Sequence, residues 1–211
     1  DRPVALVDRI DPVYKGRREH EAGLLCALDA ETGQVRWKVE GAFGTLLALS
    51  TPHDVLLMSY QSTRFQLDSE RGGRMAAFRA SDGTRLWDVA AKYLSRPILN
   101  GRTIYAQPGA WDLLSGQALP FEFQRSYGCG ILAGSARMLV YRSATMAYLD
   151  LAGSRKTENY GGIRPGCWIN AIPAGGLVLL AEAASWCTCS YLNQGTVALQ
   201  PPEDAPPSLT P

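Results

Sequence analysis

The chain contains one eleven-residue pattern twice, at an interval of fifty residues. The segment 27–37 (ALDAETGQVRW) returns as the segment 77–87 (AFRASDGTRLW) in the same register. Self-similarity at a fixed period of roughly 20 to 50 residues is the signature of a repeat architecture, in which one supersecondary unit stacks on copies of itself. The fold must therefore be one that repeats a unit of about this size.

Each copy predicts a β-hairpin. An apolar strand enters a polar turn that closes on Gly33 or Gly83, and alternating residues then lead to Trp37 or Trp87. Glycine adopts the positive φ that a tight hairpin turn requires, and the alternation is typical of a half-buried strand. The tryptophan ring is large enough to cover the gap between neighbouring sheets.

Weaker copies of the pattern follow at 111–116 (WDLLSG), 148–153 (YLDLAG) and 197–200 (VALQ). Two further strand-like runs precede every copy after the first; they are 44–50 and 55–60, 97–99 and 103–106, 130–133 and 138–141, and 168–172 and 177–180. Four short antiparallel strands per unit make the blade of a β-propeller. The sequence therefore predicts an all-β chain of about five four-stranded blades, with the first and the last incomplete.

The predicted blades occupy approximately residues 1–41, 42–91, 92–121, 122–163 and 164–200, and residues 201–211 form a proline-rich tail or linker. A propeller protects its strand edges by closing into a ring, and five partial blades leave two edges open. We therefore expect these blades to be part of a larger ring whose other blades lie upstream. A small five-bladed ring is the alternative.

The pattern of two apolar residues, Asp-Ala-x-Thr-Gly and a later Trp resembles the pyrroloquinoline-quinone-like propeller repeat. That repeat is found in quinoprotein alcohol dehydrogenases and in the outer-membrane assembly lipoprotein BamB. The stretch 127–201, with YGCG at 127–130 and CTCSY at 187–191, is also similar to the C-terminal part of a group of large bacterial propeller proteins. The resemblance implies a propeller in an exported bacterial protein, periplasmic or extracellular, and it brings no reaction. The expected signal peptide is not in this chain.

The charge balance predicts no nucleic-acid partner and no attraction to anionic membranes. The 21 basic and 20 acidic residues leave a formal charge of +1, so the protein has no strong global field. The apolar run at 177–180 is far shorter than the roughly 20 residues that a membrane helix needs. The expected partners are a protein or the remaining propeller blades.

Four of the five cysteines lie in the last two predicted blades. Cys129 and Cys167 each precede an innermost strand, whereas Cys187 and Cys189 are two residues apart and point to one face of a strand. An even set of this kind predicts two disulfides in an oxidising compartment, with open connectivity. Reduced buried thiols and a thiolate-bound metal are the alternatives. Cys26, alone in an apolar strand, is interpreted as a small buried hydrophobe.

The sequence assigns no catalytic, cofactor-binding or metal-ligating residue. A quinoprotein dehydrogenase needs a calcium-binding carboxylate and amide set, a catalytic Asp and, in many members, a disulfide between adjacent cysteines. This chain has no Cys-Cys pair, and Asp29, Asp112 and Asp150 are interpreted as turn residues. Neither Gly-x-Ser-x-Gly nor His-Glu-x-x-His is present. We therefore expect neither quinone nor calcium.

The favoured function is a non-catalytic scaffold or binding module. The alternative is a domain of a quinoprotein-like oxidoreductase or of a polysaccharide-acting enzyme whose active residues lie partly outside this chain.

One candidate ligand site gathers late in the chain, and it consists of Arg125, Tyr127, Arg164, Trp168, Asn170 and Trp186. Most of these residues lie at the start of the predicted inner strands of the last two blades, where they would ring one mouth of the central channel. Arginine beside aromatic rings suits an anionic or sugar-like group. In the competing interpretation the tryptophans are core residues and the arginines bond to loop carbonyls.

Overall fold

The computed structural model describes residues 23–44, 46–60, 73–167, 171–182 and 188–200, and the backbone of 4–8. Within these residues the chain forms eighteen short strands in five antiparallel sheets, and its one helical element is a 3₁₀ turn at Thr51–His53. The prediction of an all-β chain of four-stranded blades is confirmed. No helix in this part of the chain is long and apolar enough to cross a bilayer.

The chain divides into two compact units, Asp1–Pro120 and Phe121–Pro211. The first unit holds a three-stranded sheet and a four-stranded sheet; the strands are β1 (Val4–Asp8), β2 (Gly23–Leu28) and β3 (Val35–Ala42), then β4 (Leu46–Ser50), β5 (Val55–Ser59), β6 (Gly73–Arg79) and β7 (Arg85–Ala91). A third sheet contains β8 (Ile98–Asn100), β9 (Thr103–Ala106), β10 (Gly109–Asp112) and β11 (Ala118–Glu122), whose last two residues belong to the second unit.

The second unit holds the remaining two sheets. Their strands are β12 (Ala133–Gly134), β13 (Met138–Ser143), β14 (Thr145–Asp150) and β15 (Thr157–Asn159), then β16 (Ala171–Ala174), β17 (Leu177–Leu180) and β18 (Val197–Leu199). In every sheet the strands are neighbours in chain order, which is the meander of a propeller blade. Each predicted blade range contains one sheet, although β3 and β11 run one residue beyond theirs. Residues 201–211 lie outside the described part.

The inner strand β12 begins later than the predicted run 130–133. It covers only Ala133–Gly134, and at the start of the predicted run Gly130 has a φ of 94°, outside the extended region that strand pairing needs. The strand prediction was therefore wrong for residues 130–132. Apolar composition alone does not show where a positive φ interrupts a strand.

In the first, third and fourth copies of the repeat, the aspartate that begins the turn also holds it. Asp29 Oδ1 accepts the backbone N–H of Thr32 at 2.9 Å, and Asp112 Oδ1 accepts that of Ser115 at the same distance. Asp150 Oδ1 likewise accepts an N–H of its own turn, at 2.8 Å. These carboxylates therefore act as turn residues, in agreement with the sequence interpretation.

The repeat tryptophans connect consecutive sheets of the first unit. The Trp37 indole Nε1 donates to the carbonyl of Ala80 at 3.0 Å, and the Trp87 Nε1 donates to that of Leu113 at 2.8 Å. Each ring lies directly on the turn glycine of the following blade. A Cβ added to Gly83 would lie 2.7 Å from the Trp37 ring, and one added to Gly116 would lie 2.8 Å from the Trp87 ring. The predicted role of these rings is confirmed.

The third copy of the repeat lacks this tryptophan. The indole follows the turn glycine by four residues in the first two copies, whereas the residue four positions after Gly116 is Pro120. Proline has neither a ring system of that size nor an N–H to donate. The division between the two compact units falls immediately after Pro120.

The core lies on both faces of the middle strands. All five residues of β5 are buried; Val55 and Leu57 pack with Met75 and Ile104, whereas Leu56 and Met58 pack on the opposite side. Because successive side chains of a strand point to opposite faces, a strand that packs against neighbours on both faces is buried throughout. In the second unit the corresponding cluster contains Val140, Met146, Ala171 and Leu180.

Candidate functional site

The candidate site lies where the segments that lead into β12 and β16 meet the β13–β14 turn. The Ala144 N–H donates to the Tyr127 carbonyl at 2.8 Å, which fixes the first segment to the turn. The Met146 N–H donates to the Ile163 carbonyl at 2.8 Å, which fixes the second. Residues that precede two inner strands are therefore brought together at one end of the second unit.

Arg142, at the end of β13, occupies the centre of this region and is fully buried. Its Nε donates to the Ala144 carbonyl at 3.3 Å, and its Nη1 lies 4.0 Å from the Sγ of Cys167. The guanidinium carbon lies 5.7 Å from the centre of the Tyr127 ring. Nη2 is buried and has no hydrogen-bond partner within the described residues. A buried cation with an unsatisfied donor is costly and calls for a specific explanation.

Gly128 makes room for this arginine. A Cβ added to Gly128 would lie 2.7 Å from the Arg142 Cγ and 2.8 Å from its Cδ. Cβ atoms do not approach side-chain carbons so closely, so only glycine fits at this position. The first glycine of the YGCG segment thus has a packing reason, which the sequence did not disclose.

Cys167 lies beside the same guanidinium, and two more of the late cysteines, Cys189 and Cys129, act on its charge. Burial by itself would lower the pKa of Arg142, but the neighbouring sulfurs of Cys189, Cys167 and Cys129 hold that pKa above its usual value. No disulfide joins these three cysteines or Cys26 within the described residues, so the predicted disulfides are not confirmed, and Cys187 lies outside the described residues.

Cys26 was predicted to be buried, and it is half-buried in β2. No group of three His, Cys, Asp or Glu side chains in the described part of the chain is arranged to hold a metal. The thiolate-metal alternative stays untested because it includes Cys187.

Arg164 is also fully buried and connects two segments of the last blade. Its Nε donates to the Ser190 carbonyl at 3.0 Å and its Nη1 to the Pro165 carbonyl at 3.3 Å, while Nη1 lies 4.0 Å from the Cys167 Sγ. Arg125 donates to the Gly130 carbonyl at 3.2 Å. Both arginines thus make the loop-carbonyl bonds of the competing interpretation, and Arg164 presents no surface to solvent.

The other members of the predicted ligand site are only partly described. Tyr127 is 58% exposed, beside the buried Arg142. Trp168, Asn170 and Trp186 lie outside the described residues, so the ligand site stays a prediction. Burial lowers the pKa of Arg125, against the opposing charges of Tyr141 and Cys129.

Arg142 was not among the candidate residues that the sequence predicted. The available signal was an arginine at the end of the apolar run at 138–141, four residues ahead of another buried run. A strand pattern does not distinguish a buried cation from a solvated one at the end of a strand, because either can follow the last apolar residue.

No protein-family model matches the chain, and no curated protein matches it. Among solved structures, the chain is similar to BamB from Moraxella catarrhalis, with a TM-score of 0.58 and 16% identity over 94% of this chain and 58% of the BamB chain. It is also similar to the computationally designed Ika4 protein, with a TM-score of 0.55 and 15% identity over 80% of this chain and 98% of that one. The designed Ika8 protein gives a TM-score of 0.53 at 15% identity, over 76% of this chain and 50% of that one.

These similarities establish the fold: the chain is built from β-propeller blades of the kind found in BamB. The chain covers 58% of the BamB chain, so it spans just over half of that chain's length.

Proposed function

We propose that the chain is a non-catalytic propeller scaffold or binding module of an exported bacterial protein, periplasmic or extracellular. The observation that carries this proposal is the likeness to the BamB fold over 94% of the chain. The coverage of only 58% of the BamB chain supports the further proposal that these blades belong to a larger ring.

The use of the acidic side chains in the first unit supports a structural role. The carboxylate of Asp29 pairs with Arg36 at 2.6 Å, and that of Asp88 pairs with Arg74 at 2.7 Å. Hydrogen bonds from these arginines hold the pKa values of both carboxyl groups below the usual range. A carboxylate that stays ionised within a fixed ion pair is a poor general acid or base near neutral pH.

The binding surface that we propose is the tyrosine face of the second unit, defined by Tyr127, Tyr160 and Tyr191. These side chains are 58%, 58% and 49% exposed, respectively. Each adjoins the segments that meet around Arg142, since the Tyr160 N–H donates to the Met146 carbonyl and Tyr191 follows the Ser190 carbonyl that Arg164 binds. Tyrosine combines an apolar ring with a polar tip and is enriched at protein interfaces.

The predicted ligand site adjoins this face through Tyr127, and we propose that an anionic or sugar-like group of the partner binds there. The exposed tyrosine rings are suited to such a group. The partner surface is therefore expected to carry carboxylates, phosphates or sugar hydroxyls.

The test compares proteins retained from a periplasmic extract by the immobilised chain and by two variants. The first variant replaces Tyr127, Tyr160 and Tyr191 by alanine; the matched control replaces the exposed Leu49, Leu86 and Leu94 of the first unit by alanine. We expect a protein that both the natural chain and the leucine control retain and the tyrosine variant loses. Equal retention by both variants would contradict the tyrosine face. Stoichiometric calcium or quinone in the purified protein would instead support the enzyme alternative.

A further inference from the structure

Cys167 lies between two buried guanidinium groups. Its Sγ is 4.0 Å from the Nη1 of Arg142 and 4.0 Å from the Nη1 of Arg164. Both arginines are fully buried, whereas Cys167 is partly exposed. A sulfur that solvent can reach is therefore held against two cations that solvent cannot reach.

Arg142 has no carboxylate as its counter-ion within the described residues; the groups that act on its charge there are the sulfurs of Cys129, Cys167 and Cys189. A guanidinium does not lose its proton in a protein, so its charge must be offset by a neighbour. Ionisation of a thiol would provide the missing negative charge, and arginine beside a cysteine favours the thiolate over the thiol.

Cys189 is held in the same region through the residue that follows it. The carbonyl of that residue, Ser190, accepts the Arg164 Nε at 3.0 Å, and the sulfur of Cys189 acts on the charge of Arg142. Arg164 thus ties the segment that carries Cys189 to the segment that carries Cys167. The two guanidinium groups beside the Cys167 sulfur repel a metal cation. Redox chemistry therefore fits this site better than metal binding.

We propose that Cys167 is a thiolate-forming, redox-active cysteine and that Cys189 is its partner thiol. The co-reactant is a disulfide of a small thiol or of another protein. This inference is independent of the scaffold proposal, because it concerns the chemistry of the cysteines and not the partner of the tyrosine face.

The exchange has two steps. The Cys167 thiolate attacks one sulfur of the external disulfide, so a mixed disulfide forms and one thiolate leaves. The Cys189 thiolate then attacks the Cys167 Sγ, and the Cys167–Cys189 bond forms as the second external thiolate leaves. The two protein thiols lose two electrons, the external disulfide gains them, and the two released thiolates take up the protons that the cysteines lost.

The first experiment measures the alkylation rate of each cysteine by iodoacetamide and peptide mass spectrometry, between about pH 5 and about pH 9. The folded protein is first reduced and freed of reductant. We expect Cys167 to react at about pH 6 at least about tenfold faster than Cys26, because its thiolate fraction is higher. Arg142→Gln should lower the Cys167 rate about tenfold and leave the Cys26 rate unchanged. Arg142→Lys, which keeps a cation, should retain part of the enhancement.

The control variant is Arg137→Gln, which removes an exposed arginine from the same unit. It should change neither rate. Equal rates at Cys167 and Cys26 would overturn the proposal, and so would an Arg142→Gln variant with an unchanged circular dichroism spectrum and an unchanged Cys167 rate. A Cys167 that reductant does not release in the folded protein would also overturn it, since the thiol would then be locked in a structural disulfide.

The second experiment identifies the partner thiol by treating the reduced protein with oxidised glutathione. The natural chain should lose two hydrogens as Cys167 and Cys189 join, whereas Cys189→Ser should keep one glutathione on Cys167. A bond from Cys167 to a different cysteine would contradict the role of Cys189. An unmodified Cys167 in Cys189→Ser would contradict the proposal as a whole.

Discussion

The indole ring of Trp37 lies directly on Gly83, the turn glycine of the following blade. A Cβ at Gly83 would approach the Trp37 Cε3 to 2.7 Å, and the indole N–H binds the nearby Ala80 carbonyl. Gly33 occupies the equivalent turn position one blade earlier, yet a Cβ there would meet no atom within 4 Å. The two glycines therefore share a backbone conformation and differ in what covers them.

This difference predicts unequal effects of two identical substitutions. Both Gly33→Ala and Gly83→Ala place a side chain at a positive φ, of 70° and 77° respectively, which costs about 1–2 kcal/mol. Gly83→Ala also forces the Trp37 ring away, which adds about 1–3 kcal/mol. Urea unfolding followed by tryptophan fluorescence should show the larger loss of unfolding free energy for Gly83→Ala. Equal losses would show that the Trp37 contact contributes nothing to stability.

Tyr93 predicts a second effect on stability. Its hydroxyl accepts the Tyr60 backbone N–H at 2.8 Å and donates to the Arg74 carbonyl at 3.1 Å, in a buried position. Tyr93→Phe leaves the Tyr60 N–H unsatisfied, so we expect a loss of about 1–3 kcal/mol in unfolding free energy. The matched control is Tyr160→Phe at an exposed tyrosine, which should change the stability by less than about 0.5 kcal/mol. Similar values for the two variants would contradict the contribution assigned to the Tyr93 bonds.

The same tyrosine predicts a loss of stability at alkaline pH. Burial raises the pKa of Tyr93 from 10.0 to about 12, so the folded state holds its proton more tightly than the unfolded state. The stabilisation is complete below the unfolded pKa of 10.0 and is lost as the pH rises towards the folded value of about 12.

Urea midpoints measured on either side of pH 10 test this prediction. Stability should fall by at most about 1.4 kcal/mol per pH unit through this tyrosine, and the fall should be smaller in Tyr93→Phe. Burial also raises the pKa of Tyr60, so a residual decline is expected in the variant. An identical pH dependence in both proteins would contradict the assignment to Tyr93.

Gly128 connects the packing of Arg142 to the reactivity of Cys167. Gly128→Ala brings a Cβ against the Arg142 Cγ, so we expect a loss of about 1–3 kcal/mol and a slower reaction of Cys167, because Arg142 is displaced. Gly175→Ala is the matched control, since a Cβ at that glycine would meet no atom within 4 Å. It should leave the Cys167 rate unchanged. If a folded Gly128→Ala protein reacts at Cys167 at the normal rate, the position of Arg142 does not determine the reactivity of Cys167.

The sequence predicted the parts of the fold that local interactions determine. The turn at Asp29 and Gly33 is specified within a few residues, and the repeat of Trp37 at Trp87 revealed the connection between blades. The division after Pro120 was not predicted, because it depends on packing over many residues. Arg142 and its proximity to the late cysteines were missed for the same reason: Cys167 is 25 residues further along the chain and is brought near by the tertiary fold.

The predicted ligand site illustrates the same limit. Arg164 was chosen because arginine beside aromatic residues often binds ligands, but its hydrogen bonds go to the carbonyls of Ser190 and Pro165. Backbone carbonyls leave no trace in a sequence pattern, so the composition of a segment does not tell a binding arginine from one that fastens two loops together.

The most direct test of the account is hydrogen–deuterium exchange on the chain, with and without the partner that it retains. The account predicts slower exchange in the presence of the partner at 126–131, 160–167 and 188–193, the segments that adjoin Tyr127, Tyr160 and Tyr191. Exchange in the first unit should stay unchanged. Protection confined to the first unit, with none in these three segments, would contradict the tyrosine face as the binding surface.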